Sequence, residues 1–165
     1  PHTSAVLALL RDGFVEQSPG GQVRLADDGS PMLDYELSDY VWEGVRRAYL
    51  SMAELQFAAG AKRVRAAHLD ANYHTSWDAA KRELAELPLK KFRATLFTAH
   101  LMGGCAMSQN PKRGVVDSRG RHHQLANLSV MDGSVFPTSI GANPQLSVYG
   151  LTAQNASALV KEIGG

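Results

Sequence analysis

Six histidines, His2, His68, His74, His100, His122 and His123, are the side chains of this 165-residue sequence best suited to moving a proton near neutral pH. No two have the i, i+4 spacing of a helical metal site, and the adjacent His122 and His123 read as solvated loop side chains, so no metal site is expected. His100 stands apart by its setting. Apolar, strand-like residues Ala94 to Phe97 lead into it, and Gly103 and Gly104 follow. That pattern holds an imidazole at the end of a rigid element and lets the backbone approach a ligand closely. Alone, the window reads first as a structural histidine at a strand end and second as a catalytic group.

Two further groups could share such chemistry. Asp132 and Gly133 follow a buried-type strand, and Asn143, Pro144 and Gln145 open an apolar helix whose free N–H groups would face an electron-rich ligand. Taken singly, Asn143 reads as an ordinary N-cap, with Pro144 at the first helical position. Cys105, five residues after His100, has no basic neighbours to favour its thiolate and reads as a buried, inert thiol. A glycine-rich dinucleotide turn and a phosphate-binding loop of the Walker type are both missing from the sequence.

The elements that must position these residues follow from periodicity. Ala5, Val6, Leu9 and Leu10 predict a short helix from Thr3 to Leu10, ending near Gly13. Alternation over Gln22 to Leu25 and Pro31 to Tyr35 around Asp27-Asp28-Gly29 predicts a β-hairpin, which a larger sheet should receive. A cap at Ser38 or Asp39 precedes the longest helical stripe, Val41 through Leu55, with Gly60 as its stop. Lys62 to Leu69 reads as a strand, and Ser76 to Leu87 as a polar-faced helix closed by Pro88. Loop is expected between Gly103 and Gly120, then a strand at Leu128 to Met131. From Gln145 to Ile163 the residues are mostly apolar, which predicts a helix buried on most sides.

With 17 basic and 16 acidic side chains the formal charge is +1, which argues against a nucleic-acid arm or a polybasic membrane patch. One cysteine excludes an intrachain disulfide and any multi-cysteine cluster. The longest apolar run, Ala5 to Leu10, is too short to span a bilayer, and no targeting pattern is visible, so a cytoplasmic location is expected. Pro1 opening directly onto apolar sequence suggests a segment of a longer protein.

Taken together, His100-Leu101-Met102-Gly103-Gly104-Cys105-Ala106-Met107, Gly114-Val115-Val116-Asp117, Gly120-Arg121, the stretch Asn127 to Pro137 and Asn143 to Val148 resemble, in order and spacing, the C-terminal part of the glucose–methanol–choline family of flavin oxidoreductases. The likeness spans residues 94 to 163 and feels nearest to the long-chain alcohol and sterol oxidase branches. It implies an α+β fold. Residues 1–123 would form part of a substrate-binding domain with a mostly antiparallel sheet, and 124–165 would return a strand and a buried helix to a Rossmann-like FAD-binding domain whose N-terminal half lies outside the sequence.

The resemblance also implies roles. His100 and Asn143 fall on the catalytic pair beside the flavin ring. Asp132 and Gly133 match the turn on the ribityl and phosphate side, while Pro144 and Gln145 lie where the helix start meets the pyrimidine end. Ala106 departs from the arginine of many relatives. The implied function is oxidation of a hydrophobic alcohol, with hydroxyl-proton removal and hydride transfer to FAD N5. Alternatives are an FAD-containing lyase of the same family and a non-catalytic binding or assembly module. The implied partners are the alcohol and the FAD-binding half, in cis or as another chain.

Overall fold

Asp27, Asp28 and Gly29 reverse the chain between β1 (Gly21–Leu25) and β2 (Pro31–Tyr35), which pair antiparallel with Val23 opposite Leu33. Asp28 Oδ1 accepts from the Ser30 backbone N–H (2.9 Å) and hydroxyl (2.6 Å), closing the turn and holding its carboxyl below the usual range. The structure is a computed structural model and describes residues 2–13 and 15–164, so Pro1 lies outside the described residues. Among the described residues there are three α-helices and this one two-stranded antiparallel sheet, an α+β composition, in two compact units, Pro1–Phe97 and Thr98–Gly165. All ten hairpin residues are exposed, and among the described residues no further strand joins them, so the expected larger sheet is not formed here.

The core of the first unit lies between α1 (Asp39–Ala58) and α2 (Trp77–Glu86). Val41, Val45, Tyr49 and Ala53 recur every four residues on α1, and all are buried against Ala80 and Leu84 of α2. Ser38 occupies the N-cap of α1 by backbone geometry, without a side-chain capping bond, and Asp39 suits the helix dipole in the first turn. Gly60 ends α1 as expected: its N–H reaches Phe57 O, and the Ala61 N–H reaches Gln56 O. Ser76 caps α2 by accepting from Ala79 N, and Pro88 follows its end.

Arg46 connects the two helices electrostatically. Its guanidinium donates to the carbonyls of Leu84 (3.0 Å), Ala85 (2.6 Å) and Leu87 (3.0 Å), the orphan acceptors at the C-terminus of α2. A second anchor is His68, 3 % exposed, whose Nε2 bonds to Pro88 O and whose Nδ1 accepts from Asp70 N.

Several expected elements dissolve into loop. Residues 3–10 form no helix; eight residues cannot offset the cost of nucleation unaided, and Leu7 and Leu9 remain exposed. Residues 62–69 form no strand, because Val64 pairs with His74 and His68 with Ala94 while Arg65 folds back on the carbonyls of Ala71 and His68. Of residues 94–97, only Ala94 pairs.

The second unit is built from turns around one helix, α3 (Gln145–Ile163), and a short 3-10 turn, Gly133–Val135. Residues 103–120 are loop, as expected, crossed by single bridges from Val116 to Met107 and His122. The strand expected at 128–131 reduces to one bridge, Ser129 with Arg121, since the partner segment bends around Asp117, whose Oδ1 accepts from Arg119 N and Arg121 N. Helix α3 is also less covered than its composition predicts: Leu146 (83 %) and Ile163 (76 %) are exposed and Asn155 is its buried residue, because loops rather than a second helix lie beside it.

Replacing Arg46 by alanine should lower the unfolding free energy of the first unit by about 2 kcal/mol, the order expected for lost charge-assisted bonds to helix-end carbonyls. Trp42 and Trp77, the only tryptophans, lie on α1 and α2, so urea denaturation followed by fluorescence reads this unit. Arg46→Lys should recover less than half, since an ammonium cannot reproduce the planar fork.

Candidate active site

The segment carrying His100 is held by its backbone rather than by a sheet. The N–H of Cys105 donates to Ser134 O (3.0 Å) and that of Met107 to Val135 O (2.8 Å), laying residues 103–107 along the 3-10 turn. Two glycines make the approach possible. Gly103 has φ of 84°, a left-handed conformation that costs an L residue about 1–2 kcal/mol. Gly133 packs so close to the chain beside His100 that a Cβ there would lie 3.0 Å from Leu101 O. His100 itself is half-buried.

Asp132 organises the turn from outside. Its Oδ1 accepts from the Ser134 N–H (2.8 Å) and hydroxyl (2.5 Å), and these two bonds hold the carboxyl below the usual carboxylate range. A depressed folded value means the contribution is present above the unfolded value near pH 4 and is lost as pH falls through the folded one. Next to it, Met131 O accepts from Thr152 Oγ1 (2.9 Å), which fixes α3 against the same turn.

Helix α3 begins one residue later than its sequence suggests. Pro144, buried, is the N-cap rather than the first helical residue, and no side chain caps the helix, so Asn143 stands one position outside with its side chain exposed. The helix therefore starts with unpaired backbone N–H groups at Gln145, Leu146 and Ser147, and proline removes the donor that a capping residue would have added; the first intrahelical bond runs from Val148 N to Pro144 O.

These parts meet around an open cavity of about 380 Å³, lined by Ala99, His100, Leu101, Gly133, Asn143, Pro144, Gln145, Val148 and Tyr149. Five of the six residues singled out from the sequence thus share one cavity, and Asp132 is outside its lining, engaged in the turn. Tyr149 and Val148 were missed. Their signal was the helical spacing from Gln145, which places Tyr149 one turn on, and Gln145 Nε2 donates to the Tyr149 hydroxyl at 2.6 Å. A larger cavity of about 530 Å³ in the first unit, beside Leu33, Trp42 and Phe92, contains no histidine or other candidate.

Apart from His100, no residue of the lining is ionisable near neutral pH. The electrostatics of the cavity therefore come from amides and from the positive end of α3. Among the described residues, no group of three or more His, Cys, Asp or Glu could hold a metal, and no helix is long and apolar enough to cross a membrane. Cys105 is a half-buried free thiol. His122 and His123 are structural rather than solvated: His122 Nδ1 accepts from Gln124 N and Leu125 N, and His123 Nε2 bonds to Ser108 O.

Comparison with known proteins shows the family of the chain. Residues 17–152 match the family described as GMC oxidoreductase, and the chain belongs to that family. It is 30 % identical over 156 residues to a long-chain-alcohol oxidase from Arabidopsis thaliana, covering 90 % of this chain and 20 % of that protein. A cholesterol oxidase from Acinetobacter baumannii is 46 % identical over 61 residues, 37 % of this chain and 11 % of that enzyme. An uncharacterized GMC-type oxidoreductase from Sinorhizobium fredii is 30 % identical over 149 residues, 88 % of this chain and 29 % of that protein. The chain thus spans between about a tenth and three tenths of these relatives.

The two adjacent glycines make different demands. Gly103→Ala should destabilise the clamp by about 1–2 kcal/mol, accelerating amide exchange at Cys105 and Met107 roughly 5- to 30-fold. Gly104→Ala, whose Cβ would meet only Ser134 Cβ at 3.8 Å, should leave those rates nearly unchanged in hydrogen–deuterium exchange mass spectrometry.

Proposed function

We propose that this chain supplies the proton-accepting and substrate-orienting groups of an FAD-dependent oxidoreductase acting on the CH–OH group of a hydrophobic alcohol. The observation that carries this reading is the convergence of His100, Asn143 and the N-terminus of α3 on one cavity otherwise free of formal charge. In the reaction the hydroxyl proton and a hydride from the adjacent carbon leave together as a carbonyl forms. His100 accepts the proton, since imidazole is the side chain matched to that task near neutral pH. Asn143 holds the alcohol oxygen through its carboxamide and so fixes the carbon for transfer. Bound FAD supplies the hydride acceptor at its N5 atom.

The donor set suits such a cofactor. Free N–H groups at Gln145, Leu146 and Ser147 would face an electron-rich ring edge, and no carboxylate in the lining would oppose negative charge there. Gly133, Pro144 and Gln145 would border the ring, with Asp132 shaping the turn toward its ribityl side. Leu101 and Val148 give the cavity apolar wall, in keeping with relatives named for long-chain alcohols and cholesterol. The dinucleotide-binding turn would come from another part of the protein, in cis or as a separate chain, packing on the exposed apolar residues of α3. On this reading residues 124–165 belong with the FAD-binding domain and 1–123 with the substrate domain.

In the whole flavoprotein, His100→Ala should slow anaerobic bleaching of the flavin by alcohol about 10²- to 10⁴-fold while retaining the yellow colour. Near-normal bleaching would remove His100 as the base, and a wild-type protein that binds FAD but never bleaches would point to a lyase or a binding module. Asn143→Asp should slow bleaching by placing a carboxylate beside the developing anion, with little change in melting temperature because α3 has no side-chain cap to lose. Unchanged turnover with a lowered melting temperature would make Asn143 structural only.

A further inference from the structure

Gln145 and Tyr149 lie one turn apart on the first turns of α3, and both line the cavity that holds His100 and Asn143. Their side chains are joined: Gln145 Nε2 donates to the Tyr149 hydroxyl oxygen at 2.6 Å. A primary carboxamide rotates easily about its last torsion, so which edge it presents is decided by its partners. The phenol occupies one of the two N–H donors. The carbonyl Oε1 and the second N–H then remain as an adjacent acceptor and donor, and the phenol keeps its own O–H free to donate.

We propose that Tyr149 is a positioning residue that sets the orientation of the Gln145 carboxamide, so that Gln145 presents a paired acceptor and donor to the imide edge of the bound flavin. The inference rests on the FAD-dependent reading above and deepens it. An imide edge offers N–H beside C=O, the complement of a carboxamide presenting C=O beside N–H. The N–H to flavin oxygen bond strengthens as negative charge builds on the ring during reduction, so a correctly turned Gln145 favours the reduced cofactor over the oxidised one. Phenylalanine at position 149 keeps the ring and its packing but offers no acceptor, leaving the carboxamide free to turn.

The test is a double-mutant cycle on the whole flavoprotein, read by flavin midpoint potential and visible absorption spectrum. Tyr149→Phe should weaken the preference for reduced over oxidised flavin about three- to ten-fold, the range for one net hydrogen bond, which is a fall of about 15–30 mV for a two-electron couple. Gln145→Met should produce at least as large a fall. In the Gln145→Met background, Tyr149→Phe should add nothing, because its action passes through Gln145. Additive shifts, or a Tyr149→Phe protein with unaltered potential and spectrum, would overturn the positioning role while a yellow, alcohol-bleached protein would leave the FAD-dependent reading standing. A wild-type whole protein that takes up no flavin would overturn both.

Discussion

The site depends on a backbone clamp. Two hydrogen bonds, from the N–H groups of Cys105 and Met107 to the carbonyls of Ser134 and Val135, place the His100 segment against the turn that precedes α3. The clamp closes because Gly103 can adopt its left-handed conformation and because Gly133 has no Cβ to push Leu101 away. Neither strand pairing nor a large apolar core does this job. In the second unit Val116, Val135 and Pro144 are the buried apolar side chains among the described residues, so backbone bonds, Asx turns at Asp117 and Asp132, and the Thr152 bond to Met131 carry the geometry. An imidazole held this way inherits its position largely from atoms that every residue possesses, with the glycines, the two aspartates and the Thr152 hydroxyl particular to it.

The first unit solves its stability differently. Ten buried apolar residues pack between α1, α2 and the loops that follow them, and several polar groups beside that layer are bonded individually, while Ser38 Oγ is buried without a hydrogen-bond partner. Arg46 meets three helix-end carbonyls, Tyr49 donates to Ala67 O, and His68 uses both ring nitrogens. Burial raises the Tyr49 hydroxyl above its ordinary value, so it remains a donor throughout the physiological range. The unit is therefore a conventional hydrophobic layer with few polar exceptions, most of them paired.

What the sequence made legible follows from this contrast. The hairpin, α1, α2 and α3 were readable because period-2 and period-3.6 patterns reflect local geometry, and Gly60, Ser76 and Pro88 mark ends by chemistry that acts within a few residues. Residues 62–69, 94–97 and 128–131 carry strand-like composition, but a strand also needs a continuous partner, and here each meets single residues on different segments. Asn143 and Pro144 show the same limit on a smaller scale: either residue order fits a cap, and only the backbone geometry decides that Pro144 holds the N-cap. The cavity was legible as a set of types, His100, Gly133, Asn143, Pro144 and Gln145, while helical spacing alone places Tyr149 one turn beyond Gln145 without revealing the side-chain bond between them.

Apart from His100, the cavity lining holds no side chain that is ionisable near neutral pH, so its field comes from amide dipoles. A cation or a carboxylate there would exert its field in every state of the ligand, before and after reaction alike. Backbone N–H groups at Gln145, Leu146 and Ser147 act differently: their partial charges interact weakly with a neutral group and more strongly as negative charge develops beside them. Pro144 sharpens this arrangement, because a serine, threonine or aspartate in its place could turn an oxygen back onto the N–H groups and occupy them. A helix end left uncapped is ordinarily a defect. Beside His100 and Asn143 it leaves donors whose hydrogen bonds are available to whatever group gains charge in the cavity, and their orientation is already fixed by nineteen residues of helix and by the Thr152 bond to the clamp.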